Sequence, residues 1–152
     1  MAPDLGSGDR LGPYRRKRDR ARTPEPFGGE AERPSEGPVF VVHRHDARRL
    51  HYDLRLEREG ALASWAVPRG LPLAIGERHL AVKVEDHPLS YADFAGEIPA
   101  GEYGAGTVEI WDRGVYELLE EKRDGGLTVR LRGDRLDGRL LAGLIGQGKK
   151  LM

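Results

Sequence analysis

Two histidines and an aspartate lie close together in this sequence, in a pattern that suits a metal ion. His51 and Asp53 alternate with the apolar residues Tyr52 and Leu54, which is the period-two pattern of a half-buried strand. Side chains two residues apart on a strand share a face and lie about 6.5–7 Å apart. An imidazole and a carboxylate at that spacing could close on one ion, and His45 could add a third ligand if the chain bends back.

This ligand set predicts an open, catalytic type of metal site. Two imidazoles and one carboxylate leave coordination positions for water or substrate, which suits Mn, Fe or Zn. Arg55, two residues after Asp53, could hold an anion beside the ion. The alternative is that His51 and Asp53 are solvated strand residues without a metal. His43 stands two residues before His45, and we expect it to support the ligands rather than to bind the ion.

The composition indicates a globular protein of the reducing cytoplasm. The chain has 152 residues, 33% of them charged, with a formal net charge of zero, so only the distribution of charge can favour nucleic acid. It has no cysteine, which excludes disulfides and thiolate ligands. No apolar run approaches the roughly 18 residues of a membrane span, and a signal peptide is not evident. We therefore expect a soluble, cytoplasmic protein that binds no membrane.

The pattern divides the chain into an arm and a domain. Residues 1–37 are rich in Gly, Pro and charge and predict a flexible basic N-terminal arm, because such a segment cannot bury enough apolar surface to fold alone. Its basic run over residues 14–22 is typical either of a solvated tail or of a phosphate-binding segment. Residues 38–152 predict a mostly β domain, a small antiparallel β-barrel or sandwich with short flanking helices or loops.

Seven short apolar or alternating runs carry the prediction of strands. They are residues 39–42, 50–56, 61–67, 80–85, 107–111, 116–120 and 127–131. In the fourth run we expect Leu80, Val82 and Val84 to face the core. Asp124–Gly126 predicts a hairpin turn. The tail, residues 143–152, is again rich in Gly and Lys.

Three further places hold residues with chemical potential. His87 and Tyr91 follow the end of a predicted strand and could contact a phosphate, although an exposed histidine and a packed tyrosine are the alternative. Arg69 lies in a rigid turn, where a surface arginine is the plain interpretation. The glycine-rich loop Gly101–Gly106 lacks the lysine of a P-loop, so its glycines predict a tight turn or bulge. His79 begins a predicted strand and is expected in solvent.

Several segments, in order from about Tyr14 to about Asp137, resemble the 3′-phosphoesterase module of bacterial and archaeal DNA ligase D. They include Phe40–His45, Ala47–Asp53, Arg55–Glu57, Ser64–Pro68, Val84–Pro88, Tyr91–Phe94, Gly96–Pro99, Tyr103–Thr107 and Trp111–Gly114.

The resemblance implies an end-healing nuclease for double-strand-break repair by non-homologous end joining. Such an enzyme removes a 3′-terminal ribonucleoside and then the 3′-phosphate, leaving a 3′-hydroxyl that can be ligated. It depends on a divalent metal, typically Mn²⁺, with Co²⁺ or Zn²⁺ as alternatives. The implied partner is a primer-template or duplex 3′ end, so the protein would be associated with the nucleoid. We expect a stand-alone version, with a DNA ligase or polymerase and a Ku-like end binder acting in trans.

The resemblance also implies roles for individual residues. The metal ligands would be His45, His51 and Asp53. The contacts to the scissile phosphate would be Arg55, His87 and Tyr91. Independently of the resemblance, we take His87 as the candidate proton donor to the leaving oxygen.

Among the candidate site residues, two depart from the family pattern. Arg69 stands in place of a lysine that supports the reaction, and His79 in place of an arginine that would make an outer phosphate contact. Arg18, Asp19 and Glu25 match N-terminal residues needed above all for the ribonucleoside-removing step.

Two other functions compete with this interpretation. Two histidines and a carboxylate also build the iron site of non-haem Fe(II) oxygenases, although this short chain does not fit their long jelly roll. A non-catalytic module that binds DNA ends is the second alternative, and the presence of His45, His51, Asp53 and His87 argues against such a loss of activity.

Overall fold

The computed structural model describes residues 5–18, 23–26, 37–74, 76–123, 126–145 and 149–151. Helix α1 spans Leu5–Arg16, and a 3₁₀ helix spans Leu89–Asp93. The strands within these residues are β1 Val39–Asp46, β2 Leu50–Arg58, β3 Ala61–Val67, β4 Leu80–His87, β5 Gly96–Ile98, β6 Gly106–Glu121, β7 Leu127–Gly133, β8 Asp137–Ile145 and β9 Lys149–Leu151.

The strands form one antiparallel sheet in the order β1-β2-β3-β4-β9-β8-β7-β6-β5, with an additional pairing of β1 with β6. The sheet therefore curls into a loose barrel, and the prediction of a mostly β, antiparallel fold is confirmed. The two runs predicted as strands at 107–111 and 116–120 are parts of the single long strand β6.

The hairpin of β1 and β2 positions the residues that the sequence singled out. Its register pairs His45 with His51, His43 with Asp53 and Val41 with Arg55. The chain does bend back, as expected, but His45 already lies within β1, so it is held by strand pairing rather than by a loop. Because directly opposed residues on one face of a sheet are close neighbours, this register brings the polar side chains together.

The two faces of the hairpin enter two different cores. Phe40, Val42, Leu54 and Leu56 belong to the large cluster inside the barrel, with residues of β3, β4, β6, β7 and β8. On the opposite face, Val41 packs in a second cluster with residues of α1, β3 and the 3₁₀ helix: Tyr14, Leu62, Tyr91 and Ala92. The face that carries the polar residues is therefore largely covered by other elements: Asp53 and Arg55 are buried, and His51 is half-buried.

Three features differ from the sequence-based expectations. Helix α1 was not predicted, because Gly and Pro13 weaken its helical propensity, yet Leu11 and Tyr14 are buried. The expected inward set of β4 is only partly right: Leu80 is 43% exposed, Val82 and Val84 are half-buried, and Ala81 is the buried residue instead. The tail forms β9, which pairs with β4 and β8.

Two predictions fall wholly or partly outside the described residues. They are the turn at Asp124–Gly125 and parts of the arm, whose boundary at residue 37 stays a prediction.

Among the described residues, no helix has the length and apolar character that crossing a membrane requires.

Asp112 holds the turn between β7 and β8 in place. Its buried carboxylate accepts hydrogen bonds from the backbone N–H groups of Arg113, Asp134, Arg135 and Leu136, at 2.8–3.2 Å. A Cβ atom at Gly133 would lie 2.5 Å from this carboxylate. The absence of a side chain at Gly133 therefore leaves the space that the Asp112 carboxylate occupies.

Replacing Asp112 with alanine should therefore lower the free energy of unfolding by about 2–4 kcal/mol, because several backbone donors lose their acceptor at once. Urea denaturation measures this loss. The control is Asp134→Ala in the same turn, where an exposed carboxylate is removed and a change within about 0.5 kcal/mol is expected. Equal stability of both variants would contradict the role of Asp112.

Candidate metal centre and anion site

His45, His51 and Asp53 form a cluster that fits a metal ion. One ligand atom from each lies within 4.8 Å of the other two. His51 Nε2 is 3.4 Å from Asp53 Oδ1, and His45 Nδ1 is 3.8 Å from Asp53 Oδ2. Nitrogen and carboxylate ligands of this kind suit a transition metal with open coordination positions. The three residues that sequence reasoning proposed as ligands are thus brought together.

Backbone carbonyl groups orient both imidazoles. His45 Nε2 donates to Gly104 O at 2.7 Å, and His51 Nδ1 donates to Arg49 O at 3.1 Å. Each ring therefore presents its other nitrogen to Asp53. Metal-binding histidines are commonly fixed by such a hydrogen bond on the far nitrogen.

The glycine-rich loop serves the metal centre through its shape. Gly104, whose carbonyl holds His45, has a φ of +78°, and Gly106 has a φ of +136°. A Cβ atom at Gly106 would lie 2.3 Å from Asp46 O, so only glycine lets the loop close on the end of β1. The structure agrees with the prediction of a tight turn in this loop.

The charges around Asp53 keep its carboxylate ionised. Burial raises its pKa, but the positive charge of Arg55 and the hydrogen bonds of His45 and His51 outweigh burial and hold the pKa far below its usual range. In turn, the hydrogen bond to Asp53 raises the pKa of His51, against the effect of burial. The cluster thus has one fixed negative charge that attracts a cation.

Arg55 lies beside this cluster, and one of its donors has no partner among the described residues. Its Nη2 donates to Asp53 Oδ2 at 3.3 Å, and its Nε donates to His43 Nδ1 at 3.1 Å. Its guanidinium lies 4.8 Å from the ring centre of Tyr91. The residue is 3% exposed, and its buried Nη1 has no hydrogen-bond partner among the described residues. A buried, unsatisfied cationic donor next to a metal centre fits an anionic ligand.

His43 is fully buried between Arg55 and the segment after the 3₁₀ helix. Its Nε2 donates to Phe94 O at 3.0 Å. Burial and the charge of Arg55 lower the pKa of His43 to about 3, so the ring is neutral.

His87 and Tyr91 complete the buried side of the site, with ring centres 4.7 Å apart. His87 Nδ1 donates to Glu85 O at 3.0 Å. Burial, with the charges of Arg55 and Arg18, lowers the pKa of His87 well below its usual value. His87 is thus neutral near pH 7, and its role as proton donor to the leaving oxygen stays a prediction.

Tyr91 connects the anion site to the N-terminal segment. Its hydroxyl donates to Glu25 Oε2 at 2.6 Å. Burial raises the pKa of Tyr91, and Glu25 adds to this effect against the charge of Arg55, so the hydroxyl keeps its proton. Glu25 also accepts from Thr23 Oγ1 at 2.8 Å and from Arg18 Nε at 3.0 Å.

Arg18 lies in the middle of this N-terminal network. Its guanidinium stacks on the ring of Tyr14 at 3.9 Å, and its Nη1 lies 3.3 Å from Glu85 Oε2. Burial lowers the pKa of Arg18, but the charge of Glu25 and the other partners raise it overall. Tyr14 in turn packs on His87, with ring centres 4.7 Å apart, and donates a hydrogen bond to Pro26 O.

The remaining predicted site residues lie further out or cannot be placed. Arg69 is exposed in the turn after β3, whose last residue, Val67, pairs with Tyr52 next to His51. His79 donates through Nδ1 to Gly70 O at 2.5 Å and is half-buried. Asp19 lies outside the described residues.

Sequence reasoning missed Glu85 and Tyr14. Glu85 lies two residues before His87 on β4 and contacts both Lys17 and Arg18. Glu85 and His87 are two residues apart on one strand and therefore point to the same face, which is the signal that could have identified Glu85. Tyr14 gave no signal, because it was counted with the basic run.

The comparisons with a family model and with individual proteins point to the same family. The model of the DNA ligase D 3′-phosphoesterase domain matches residues 43–142. The chain is 51% identical over 140 residues to the multifunctional non-homologous end joining protein LigD of Pseudomonas aeruginosa, covering 89% of this chain and 17% of that protein. Its identity to the LigD proteins of Mycobacterium bovis and Mycolicibacterium smegmatis is 50% over 139 residues and 47% over 146 residues, in each case covering 90% of this chain.

The chain spans 18% of the M. bovis relative and 19% of the M. smegmatis relative, so it corresponds to one portion of these longer proteins. The family match covers the strands from β1 into β8 and includes the metal cluster, Arg55, His87 and Tyr91. The chain therefore belongs to the DNA ligase D 3′-phosphoesterase family.

Proposed function

We propose that this protein is a metal-dependent phosphoesterase that heals 3′ ends of DNA or RNA primers. It would remove a terminal 3′ ribonucleoside and then the 3′-phosphate, leaving a hydroxyl group that can be ligated. The observation that carries the proposal is the buried Arg55, whose Nη1 has no partner among the described residues and which lies against the His45–His51–Asp53 cluster. That pair of features suits a phosphate bound beside a cation.

His45, His51 and Asp53 would hold the divalent ion, Mn²⁺ by resemblance to the family. When bound, the ion supplies Lewis acidity and positive charge at the phosphate. Arg55 would donate to a non-bridging phosphate oxygen through its free Nη1, while Asp53 fixes the guanidinium through Nη2. Losing one such donor to the developing charge commonly costs roughly 10²–10³ in rate.

The buried aromatic residues would exclude water and shape the anion site. We propose that His87 contacts the phosphate and is the proton donor to the leaving oxygen. Its Nδ1 is held by Glu85 O, so the proton would be carried on Nε2, and the negative charge of a bound phosphate would favour the protonated ring. Tyr91, which the resemblance suggests as a phosphate contact, would also hold Arg55 in position through the contact of its ring with the guanidinium. Arg69 and His79 are proposed as outer contacts to the nucleic acid on the side of His51.

The N-terminal residues are proposed to act in the step that removes a ribonucleoside. Arg18 and Glu25 reach the anion site through Tyr14 and Tyr91, and Asp19 would act beside them. A bulkier leaving group needs more positioning than a terminal phosphate, and a rigid network at the edge of the site can supply it.

The biological setting is proposed from the relatives, whose names place them in non-homologous end joining. The substrate would be a primer-template or duplex with a 3′ end, and a DNA ligase or polymerase and a Ku-like end binder would be the protein partners. An iron-dependent oxygenase has less support, since the chain belongs to a phosphoesterase family and Arg55 is placed to bind a phosphate beside the cluster. A non-catalytic module has less support because the metal-binding set is complete.

Removing a proposed ligand should abolish both metal binding and turnover. We expect His51→Ala and Asp53→Asn to weaken Mn²⁺ binding more than about 100-fold, measured by titration calorimetry, and to lose 3′-phosphate removal from a labelled primer. Glu117→Gln, an exposed carboxylate on β6, is the matched control and should bind and turn over like the unaltered protein. Full turnover by either ligand variant would remove that residue from the ligand set.

Altering the N-terminal network should separate the two reactions. We expect Arg18→Ala to slow removal of a terminal ribonucleoside by roughly ten- to hundredfold, in the range of a lost charge-assisted hydrogen bond, and to slow phosphate removal much less. Arg16→Ala removes an exposed positive charge from the same segment and should change neither rate by more than about twofold. Gel assays on primers ending in a ribonucleotide or in a 3′-phosphate measure both rates. An equal loss in the two reactions would refute a selective role.

A further inference from the structure

His43 is a buried histidine beside the site to which the reaction proposed above gives no role. It is 0% exposed and lies on the same face as His45, opposite Asp53 in the register of the hairpin. Both of its ring nitrogens are engaged: Nδ1 accepts from Arg55 Nε at 3.1 Å, and Nε2 donates to Phe94 O at 3.0 Å. The ring therefore has no nitrogen left for a metal ion, and its tautomer is fixed by the two partners.

The contact to His43 determines how Arg55 is oriented. A guanidinium is planar, so fixing two of its nitrogens fixes the third. His43 holds Nε and Asp53 holds Nη2, and the remaining Nη1 is the buried donor without a partner among the described residues. Diagonal neighbours on paired strands lie about 7–8 Å apart, within reach of long side chains, and His43 and Arg55 have this relation.

Without an acceptor at position 43, Arg55 has a different best arrangement. Arginine prefers a two-pronged contact with a carboxylate, and Asp53 is the nearest one. Turning Nε as well as Nη2 toward Asp53 would rotate Nη1 away from its present direction and would engage Asp53 more fully with Arg55. His43 therefore keeps the guanidinium available to an anion and keeps Asp53 available to the cluster.

We propose that His43 is a positioning residue that orients Arg55 for the phosphate. It acts through Arg55 and does not touch the substrate. The inference rests on the proposed function, because it concerns how that anion site is built. Its contact with Phe94 O also joins Arg55 to the segment that follows Tyr91, whose ring lies 5.4 Å from that of His43.

Two substitutions separate orientation of Arg55 from general packing. His43→Leu keeps the volume and removes both hydrogen-bonding nitrogens. His43→Asn can place its amide oxygen where Nδ1 now lies, so it restores the acceptor for Arg55 and loses the contact to Phe94. The measurements on the full chain are the affinity for inorganic phosphate with Mn²⁺ present, KM and kcat for 3′-phosphate removal, the affinity for Mn²⁺, and the thermal midpoint.

We expect His43→Leu to weaken phosphate binding and raise KM by about tenfold or more, the range of a lost hydrogen bond to a charged group. His43→Asn should stay within about threefold of the unaltered protein in phosphate affinity, since the acceptor is restored. Affinity for Mn²⁺ should change little in either variant. Phosphate affinity that is unchanged in His43→Leu, or lowered equally in both variants, would overturn the inference.

A spectroscopic measurement tests the same contact without any reaction. In the metal-free protein, the Arg55 Nε–H proton should exchange slowly with solvent in the unaltered chain and in His43→Asn, and rapidly in His43→Leu. Equal exchange in all three proteins would overturn the role of His43. A chain that hydrolyses no 3′-phosphate would instead overturn the proposed function, while the exchange rates still decide whether His43 holds Arg55.

Discussion

The site is organised around one buried carboxylate. Asp53 lies within 3.3–3.8 Å of polar atoms of His45, His51 and Arg55 and is 6% exposed. An ionised carboxylate in such a place is costly unless positive or hydrogen-bonding groups surround it. Its neighbours meet that requirement and thereby create two adjacent features, a cluster of possible ligand atoms and a guanidinium whose Nη1 has no partner in the part of the chain that the structure describes. The same carboxylate joins the candidate metal centre to the candidate anion site, since it contacts both histidines and Arg55.

This arrangement needs a cover over the polar face of the hairpin. The large apolar core lies on the other face of β1 and β2, so the site would be open to water if the sheet stood alone. Helix α1, the 3₁₀ helix and the segment Thr23–Pro26 provide the cover, with Tyr14 and Tyr91 packed over His87. Burial strengthens every electrostatic interaction beneath them. The N-terminal residues are thus part of the fold of the site, although their composition resembles that of a tail.

Sequence reasoning reached the parts of the site that depend on local periodicity. Alternation along β2 placed His51, Asp53 and Arg55 on one face and Leu54 and Leu56 on the other, and the structure agrees. Register between strands has no local signal, so the opposition of His45 to His51 came only with the structure. Strand β4 shows that hydrophobicity alone does not determine which side chains are buried. There, Lys83 lies over the ring of Trp65, and the amphipathic stem of a lysine can cover an aromatic residue as an apolar side chain would.

The basic run of the arm illustrates why charge in a sequence does not determine its use. Lys17 and Arg18 were candidates for contact with phosphate, yet both are paired with Glu85, and Arg18 also with Glu25. The side chain of Arg18 is 5% exposed, and its charge is balanced by the carboxylates of Glu25 and Glu85. Long-range attraction of a phosphate backbone needs exposed, unpaired charge, which Arg18 lacks. Its contribution therefore lies in geometry: stacked on Tyr14 and bonded to Glu25, it holds the acceptor of the Tyr91 hydroxyl, and the ring of Tyr91 lies against Arg55.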